Sequence, residues 1–224
     1  MENLKKILDW TPLLLSGAGI TISLTALSVS AGLILGIFLA LGKISKNKFI
    51  SGPCAFYIFF FRGTPLLMQL LFIYYVLPAL IPALTINNRF FAAFAAFSLN
   101  AAAYCAEIVR AGVQSIDKGQ FEAARVLGLS YAQTIRLVIL PQSLRRLIPP
   151  VGNEFIMMLK DTSLVSIIAL VDITRVTRRI QDATGSMLIY IPAMILYLII
   201  TAIFTFIFKK LEKKYDNDKN SVSL

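Results

Sequence analysis

The chain of 224 residues contains no histidine. That removes the usual general base near neutral pH and the commonest metal ligand. Its two cysteines, Cys54 and Cys105, stand far apart in apolar surroundings. Such placement offers no metal-binding spacing and reads as two small core residues. Charge is scarce as well: 15% of residues are Asp, Glu, Lys or Arg against 57% hydrophobic, at a mean hydropathy of +0.74. A soluble domain of this size brings more charge to its surface. No GxxxxGK[ST] loop occurs, so no Walker-type nucleotide site is expected here. Neither a nucleophile–base pair nor a metal cluster is visible, which argues against a membrane enzyme.

Long uncharged runs are what the chain does have. Residues 10–42, 63–88 and 183–208 carry no charged side chain, and each exceeds the ~20 apolar residues that cross a bilayer as a helix. The chain therefore reads as an all-α integral membrane protein. The net charge of +10 is concentrated in Lys43, Lys46, Lys48, Lys209, Lys210, Lys213 and Lys214, at the ends of apolar runs. That distribution fits cytoplasmic loops and anionic lipid headgroups. No basic stripe interleaved with aromatics points to nucleic acid.

Residues 1–12 form a polar start with Lys5 and Lys6. The apolar run behind it is too long for a signal-peptide core of roughly 7–15 residues, so 13–42 is expected as the first span. Gly32 and Gly36 in it form a GxxxG pair that permits close helix packing. The second span, 53–80, is interrupted by Phe61-Arg62-Gly63-Thr64-Pro65. Gly63 and Pro65 weaken the helix there, and Arg62 needs protein or water to face. In the third span, 89–110, Asn100, Tyr104 and Glu107 share one face, which should look inward; a structural pairing of Glu107 with an arginine carries equal weight.

Residues 117–128 predict a short, water-compatible helix between spans. Asp117 and Gln120 fit an N-terminal capping box. Glu122 sits near the positive end of the helix dipole. Ala123 and Ala124 leave a surface that another protein can press closely, and Gly128 ends the helix in a left-handed turn. Ser130 and Gln133 form a second capping box. A linker needs no helix capped at both ends, so docking is the expectation.

The fourth span, 131–159, contains Pro141, Pro149 and Pro150 with Arg136, Arg145, Arg146 and Glu154. Prolines at membrane depth are tolerated where protein or a water-filled cavity satisfies the freed carbonyls. This helix is expected to be the central, most shielded one. Its far end places Asn153, Glu154, Met157, Lys160 and Asp161 so that several share a face, and the solute path is expected there. Residues 162–183, with Asp172, Arg175, Arg178, Arg179 and Asp182, suggest an amphipathic re-entrant or surface segment. The fifth span is 186–208. Five spans place the N-terminus outside and the C-terminus in the cytoplasm if the Lys43–Lys48 loop, the 117–128 loop and the tail are cytoplasmic. Arg175, Arg178 and Arg179 then fall outside, against the positive-inside rule.

Three motifs carry a resemblance: Phe61-Arg62-Gly63-Thr64-Pro65; Glu122-Ala123-Ala124 with Gly128 and Leu140-Pro141 downstream; and Lys160-Asp161-Thr162-Ser163-Leu164. From about residue 16 to 208 the chain resembles the permease subunit of binding-protein-dependent ABC importers, in the polar amino acid branch. The resemblance implies a five-helix permease of the type I kind in a bacterial inner membrane, paired with a second copy or a sister permease. It also implies a cytoplasmic ATPase that receives the Glu-Ala-Ala helix through Gln120, Glu122, Ala123, Ala124, Leu127 and Gly128. An extracytoplasmic protein would deliver the amino acid. This chain is then not an enzyme and needs no cofactor; ATP and magnesium belong to the ATPase. Asn100, Glu107, Asn153, Glu154, Met157, Lys160, Asp161, Thr162 and Ser163 become the substrate path, and Arg62, Gly63, Thr64, Pro65 and Pro141 structural positions. Arginine, lysine or histidine are the candidate cargoes if Glu154 counters a cationic side chain while Lys160 or Thr162-Ser163 receives the α-carboxylate. Equally open is internal pairing of Glu154 with Arg145, Arg146 or Lys160. The rival function is an ion-gradient-driven amino acid transporter in which Glu107, Glu154 and Asp161 relay protons; no inverted repeat supports it.

Overall fold

A computed structural model of the protein describes residues 2–217, with side chains for residues 9–215. The Lys5 and Lys6 side chains of the polar start lie outside the described residues. Every regular element is helical: α1 (Glu2–Lys43), α2 (Lys48–Gly63), α3 (Leu66–Leu80), α4 (Arg89–Gln114), α5 (Lys118–Val126), α6 (residues 131–161), α7 (Ile173–Thr184) and α8 (Tyr190–Asn217).

By length and hydropathy, Asp9–Lys43, Arg89–Gln114 and Met187–Tyr215 can cross a membrane, and α2 with α3 form a fourth span if the bent pair is taken as one. The expected interruption at Arg62 to Pro65 is a bend of 105°. Helix α6 falls short of a span by hydropathy, because Arg136, Arg145, Arg146, Glu154, Lys160 and Asp161 lie along it. Its Leu140–Asp161 portion of 22 residues is nevertheless about 33 Å long at 1.5 Å per residue, comparable with the hydrocarbon core.

Two π-helical stretches have one cause. Phe72–Val76 and Thr134–Ile139 each stop two residues before a proline, Pro78 and Pro141. A proline ring collides with the carbonyl four residues back and offers no N–H to it. The preceding turn widens instead, with the Leu77 amide donating to Phe72 and the Leu140 amide to Ile135.

The core sits where α1 lies against α4. A Cβ added at Gly32 would stand 2.5 Å from the Ala101 methyl, and one at Gly36 2.7 Å from Cys105 Cβ. Ala101, Ala102, Ala103, Cys105 and Ala106 are completely buried there. Small side chains on both helices bring the backbones together, so contact is maximised where no hydrophobic effect separates protein from lipid. The GxxxG pair is thus a packing device. The α1 register is also fixed at Gly17, where a Cβ would lie 2.6 Å from the backbone of Asp172 at the start of α7. Helix α7 buries Ile173, Val176, Thr177 and Ile180 and exposes Arg178 and Arg179, as an amphipathic surface segment does.

One expectation is corrected by this packing. The most enclosed helix is α4, with thirteen buried residues, not the proline-bearing α6, which buries six in Leu140–Asp161. The reason is side-chain size. The alanine-rich α4 is approached closely by α1 at Ala101 and Cys105, whereas α6 carries long charged side chains, among them Arg136, Arg145 and Lys160, along its length.

The close approach predicts a graded stability series. Gly32→Leu and Gly36→Leu should each lower the thermal midpoint of the purified protein, by overpacking of about 1–3 kcal/mol. Gly19→Leu should not, since a Cβ there meets nothing within 4 Å. Equal midpoints for the three variants would contradict the packing described.

Candidate functional site

The bend between α2 and α3 gathers several polar groups in the interior. Pro65 has no N–H to give the Phe61 carbonyl, its acceptor in a continuous helix. Two side-chain amides replace it: Gln69 Nε2 donates to Phe61 O at 2.9 Å, and Asn100 Nδ2 donates to the same oxygen at 3.2 Å. Gln69 also donates to Thr64 O at 3.0 Å and Oγ1 at 2.8 Å, while Asn100 donates to Gln69 Oε1 at 3.0 Å. Both side chains are buried, at 6% exposure. An unsatisfied carbonyl in such a place costs several kcal/mol, so the pair of amides is what lets the chain turn there.

Behind the bend lies a cavity of about 470 Å³. Arg62, Gly63, Thr64 and Pro65 form one wall, Asn100 and Tyr104 of α4 another, and Glu154, Met157 and Asp161 of α6 face them. Glu154, Met157 and Asp161 fall at i, i+3 and i+7, one face of a helix. Glu154 is 7% exposed. Among the described residues neither it nor Asp161 makes an ion pair, so of the two open alternatives for Glu154 the internal pairing with Arg145, Arg146 or Lys160 is not seen. Arg146 instead donates to the Ser115 carbonyl.

Several expected path residues lie elsewhere. Asn153 and Lys160 are exposed and outside the cavity wall; Asn153 Nδ2 lies 3.6 Å from Met157 Sδ. Thr162 is fully buried, its hydroxyl donating to Leu159 O at 2.7 Å at the end of α6, and Ser163 is half-buried. Glu107 is tied into a charge cluster: Lys43 Nζ lies 2.5 Å from Oε1, Arg110 Nη2 2.7 Å from Oε2 and Arg62 Nη1 3.9 Å from Oε2. Its structural pairing with arginine is therefore present, with Lys43 as a further partner. Gln69 was not among the expected site residues. It is neutral within an apolar run, and only its relation to the carbonyl freed by Pro65 marks it.

The short helix α5 forms as its caps dictate. Asp117 Oδ1 accepts from the Gly119 amide at 2.6 Å. The C-terminal end is a Schellman turn: the Gly128 amide donates to Arg125 O and the Leu129 amide to Ala124 O, each at 3.0 Å, with Gly128 at φ +77°. Ser130 and Gln133 complete the second capping box. The first box is only half made. Gln120 does not return to the Asp117 amide; its Oε1 accepts from Gln142 Nε2 at 3.1 Å, tying α5 to α6. Ala124 is likewise 3% exposed and faces this chain, so its small size serves internal packing. Glu122 and Ala123 are exposed, as are Val126 at 87% and Leu127 at 78%. A hollow of about 350 Å³ beside them is lined by Phe121, Glu122, Arg125 and Tyr131 among others.

The description "Binding-protein-dependent transport system inner membrane component" belongs to a family model that matches residues 32–217. The chain is a member of that family. Members are pore subunits and not enzymes, and membership implies a partner ATPase and a substrate-binding protein. Among similar proteins, the L-cystine transport system permease protein TcyL of Bacillus subtilis (strain 168) is 38% identical, covering 96% of this chain and 92% of its own. The arginine transport system permease protein ArtQ of the same organism is 41% identical, with 91% and 92% covered. The glutamine transport system permease protein GlnP of Escherichia coli (strain K12) is 38% identical, with 92% and 97% covered. A crystal structure of an amino acid ABC transporter with histidines contains a chain 41% identical to this one, at a TM-score of 0.87 over 93% of this chain and 97% of that one. A chain of the MetNI methionine ABC transporter in an inward-facing conformation shares the fold at a TM-score of 0.77 and 18% identity, covering 92% and 98%. The ATP-driven reading of this permease therefore stands over the ion-gradient alternative.

The brace behind the bend predicts coupled losses. Gln69→Leu and Asn100→Leu should each destabilise the permease by about 1 kcal/mol, since the remaining amide still donates to the Phe61 carbonyl. The double variant, which alone orphans that carbonyl, should lose clearly more than the sum. Strictly additive losses in thermal unfolding would refute a shared network.

Proposed function

We propose that this permease imports amino acids, with a preference for cationic ones, and is driven through α5 by a cytoplasmic ATPase. One observation carries the cargo assignment: two carboxylates on one face of α6, Glu154 and Asp161, open into a cavity without an ion-pairing partner among the described residues. A carboxylate at membrane depth needs a positive partner, and the side chain of arginine, lysine or protonated histidine supplies one. Relatives named for arginine, glutamine and cystine transport support an amino acid cargo of this size. Asn100, Met157 and Asp161 complete the path together with Glu154. Thr162 and Ser163 sit at its far end, with Asn153 and Lys160 on the outer face of α6. Glu107 works as the ion-pair centre beside the path.

Coupling is assigned to Gln120, Glu122, Ala123, Ala124, Leu127 and Gly128. Glu122, Leu127 and the neighbouring Val126 present a mixed acidic and apolar surface to the ATPase. Gln120 and Ala124 hold α5 to α6, so a displacement of one moves the other as a rigid body. Pro141 sits on α6 two residues after the π-helical stretch that receives this push. ATP and magnesium are bound on the ATPase, and a second copy or a sister permease completes the pore. In this arrangement the Lys43–Lys48 loop, α5 and the C-terminus face the cytoplasm, and the N-terminus lies outside.

Glu154→Gln should cut arginine uptake by about tenfold or more relative to glutamine uptake in vesicles carrying the complete transporter; an unchanged ratio would remove the cargo assignment. In the same vesicles Glu122→Lys should abolish ATP-driven uptake while leaving the fold intact by thermal melting. Uptake at the wild-type rate, with the ATPase still bound, would remove the coupling assignment.

A further inference from the structure

Arg62, in the last turn of α2, carries hydrogen-bond donors that the protein does not use. Among the described residues its guanidinium makes no hydrogen bond. It stands 3.9 Å from Glu107 Oε2, and its central carbon lies 5.4 Å from the centre of the Tyr104 ring. Lys43 gives one N–H to Glu107 Oε1 at 2.5 Å and keeps its others. Charge does not balance here either. Lys43, Arg62 and Arg110 surround the single carboxylate of Glu107, which leaves positive charge in excess. Arg62 also borders the cavity of Glu154 and Asp161, yet it makes an ion pair with neither.

A second hollow, of about 390 Å³, lies on the other side of Arg62, within the ~300–1,000 Å³ usual for small-ligand sites. Lys43, Arg62 and Tyr104 form its polar wall, and among the described residues no carboxylate lines it. The rest of the wall follows one face of α2, where Ala55, Ile58 and Phe59 precede Arg62 at helical spacing. Phe59 is 76% exposed, and Phe56 beside it 67%, so this furrow opens on an apolar surface.

We propose that this hollow seats the phosphate of an anionic phospholipid, held by Arg62 and Lys43, with an acyl chain along Ala55, Ile58 and Phe59. A wall of cationic donors without a carboxylate selects an anion, and a guanidinium matches the oxygens of a phosphate. The apolar furrow beside it selects an anion that carries a chain, as neither inorganic phosphate nor the carboxylate of a small cargo does. Basic pockets between membrane helices on the cytoplasmic side hold such headgroups, and the inference rests on the cytoplasmic placement of the Lys43–Lys48 loop proposed above. The headgroup offsets the excess positive charge around Glu107. It also joins α1 to α2 where the protein's own link, Arg62 to Glu107, is long.

The test is native mass spectrometry of the intact transporter in detergent, titrated with phosphatidylglycerol or phosphatidylcholine. Each variant is first checked by its thermal midpoint, and either charge variant that assembles is sufficient. Phosphatidylglycerol should bind the wild type more tightly than phosphatidylcholine. Arg62→Gln and Lys43→Gln should each weaken it about tenfold, the scale of one charge-assisted hydrogen bond. Ala55→Trp, which fills the furrow and keeps every charge, should weaken it too. Lys46→Gln, an exposed charge of the same loop, should change it less than about twofold. An equal loss in Lys46→Gln would reduce the effect to general attraction by a basic loop and overturn the proposal. Equal binding of the two lipids, or charge variants that bind as the wild type does, would overturn it as well. Displacement by inorganic phosphate with Ala55→Trp silent would make the site one for a free anion, and the lipid assignment would fall. Because solubilised transporter is titrated, none of these outcomes depends on which side the loop faces or on which cargo Glu154 selects.

Discussion

The missing amide proton of Pro65 is the constraint on which the site depends. A helix inside a membrane must satisfy its own carbonyls, because lipid offers no donors. Pro65 leaves Phe61 O without its partner, and Gln69 and Asn100 supply two amide N–H groups in its place. Without that replacement the chain could not turn through 105° beside the apolar core. With it, the turn stands open as a wall lined with Arg62, Thr64 and backbone polar groups. The cavity is therefore a by-product of paying a hydrogen-bond debt with side chains from two different helices.

Packing of α1 on α4 provides the fixed frame for that turn. Glycine and alanine on the facing surfaces bring the two backbones together, and the contact leaves no room for rotation or slippage. Outside that contact lie the widened π-helical turn ahead of Pro141 and α5, which is tied to α6 through Gln120–Gln142. This division suits a pore subunit driven from one side.

Charge is distributed to match. Around Glu107, Lys43 and Arg110 form a compact, self-sufficient cluster at the end of α1 and α4. Around the cavity, Glu154 and Asp161 line the same hollow as Arg62 but make no ion pair among the described residues. The same residue type therefore stands in two settings on neighbouring helices, ion-paired at Glu107 and lining a cavity without an ion pair at Glu154. Which part a carboxylate plays depends on whether cations approach from adjacent turns, as Arg110 does at i+3, or must come from outside.

Much of this was legible in the amino-acid sequence. Uncharged runs marked the apolar helices, since the bilayer sets a length that no soluble element needs. The interruption at Gly63 and Pro65 and the caps at Asp117, Gly128 and Ser130 were readable because they are local: each depends on residues within one helical turn. Other features were not local and could not be read. Gln69 becomes a brace only when its amide reaches a carbonyl eight residues earlier, and Asn100 only when α4 arrives beside it. Ala124 looks like an open docking surface in sequence, but α6 covers it. The inward turn of Glu154 and the outward turn of Lys160 are set by the rotation of α6 about its axis. That rotation is decided by the helices it packs against, and periodicity alone leaves it free.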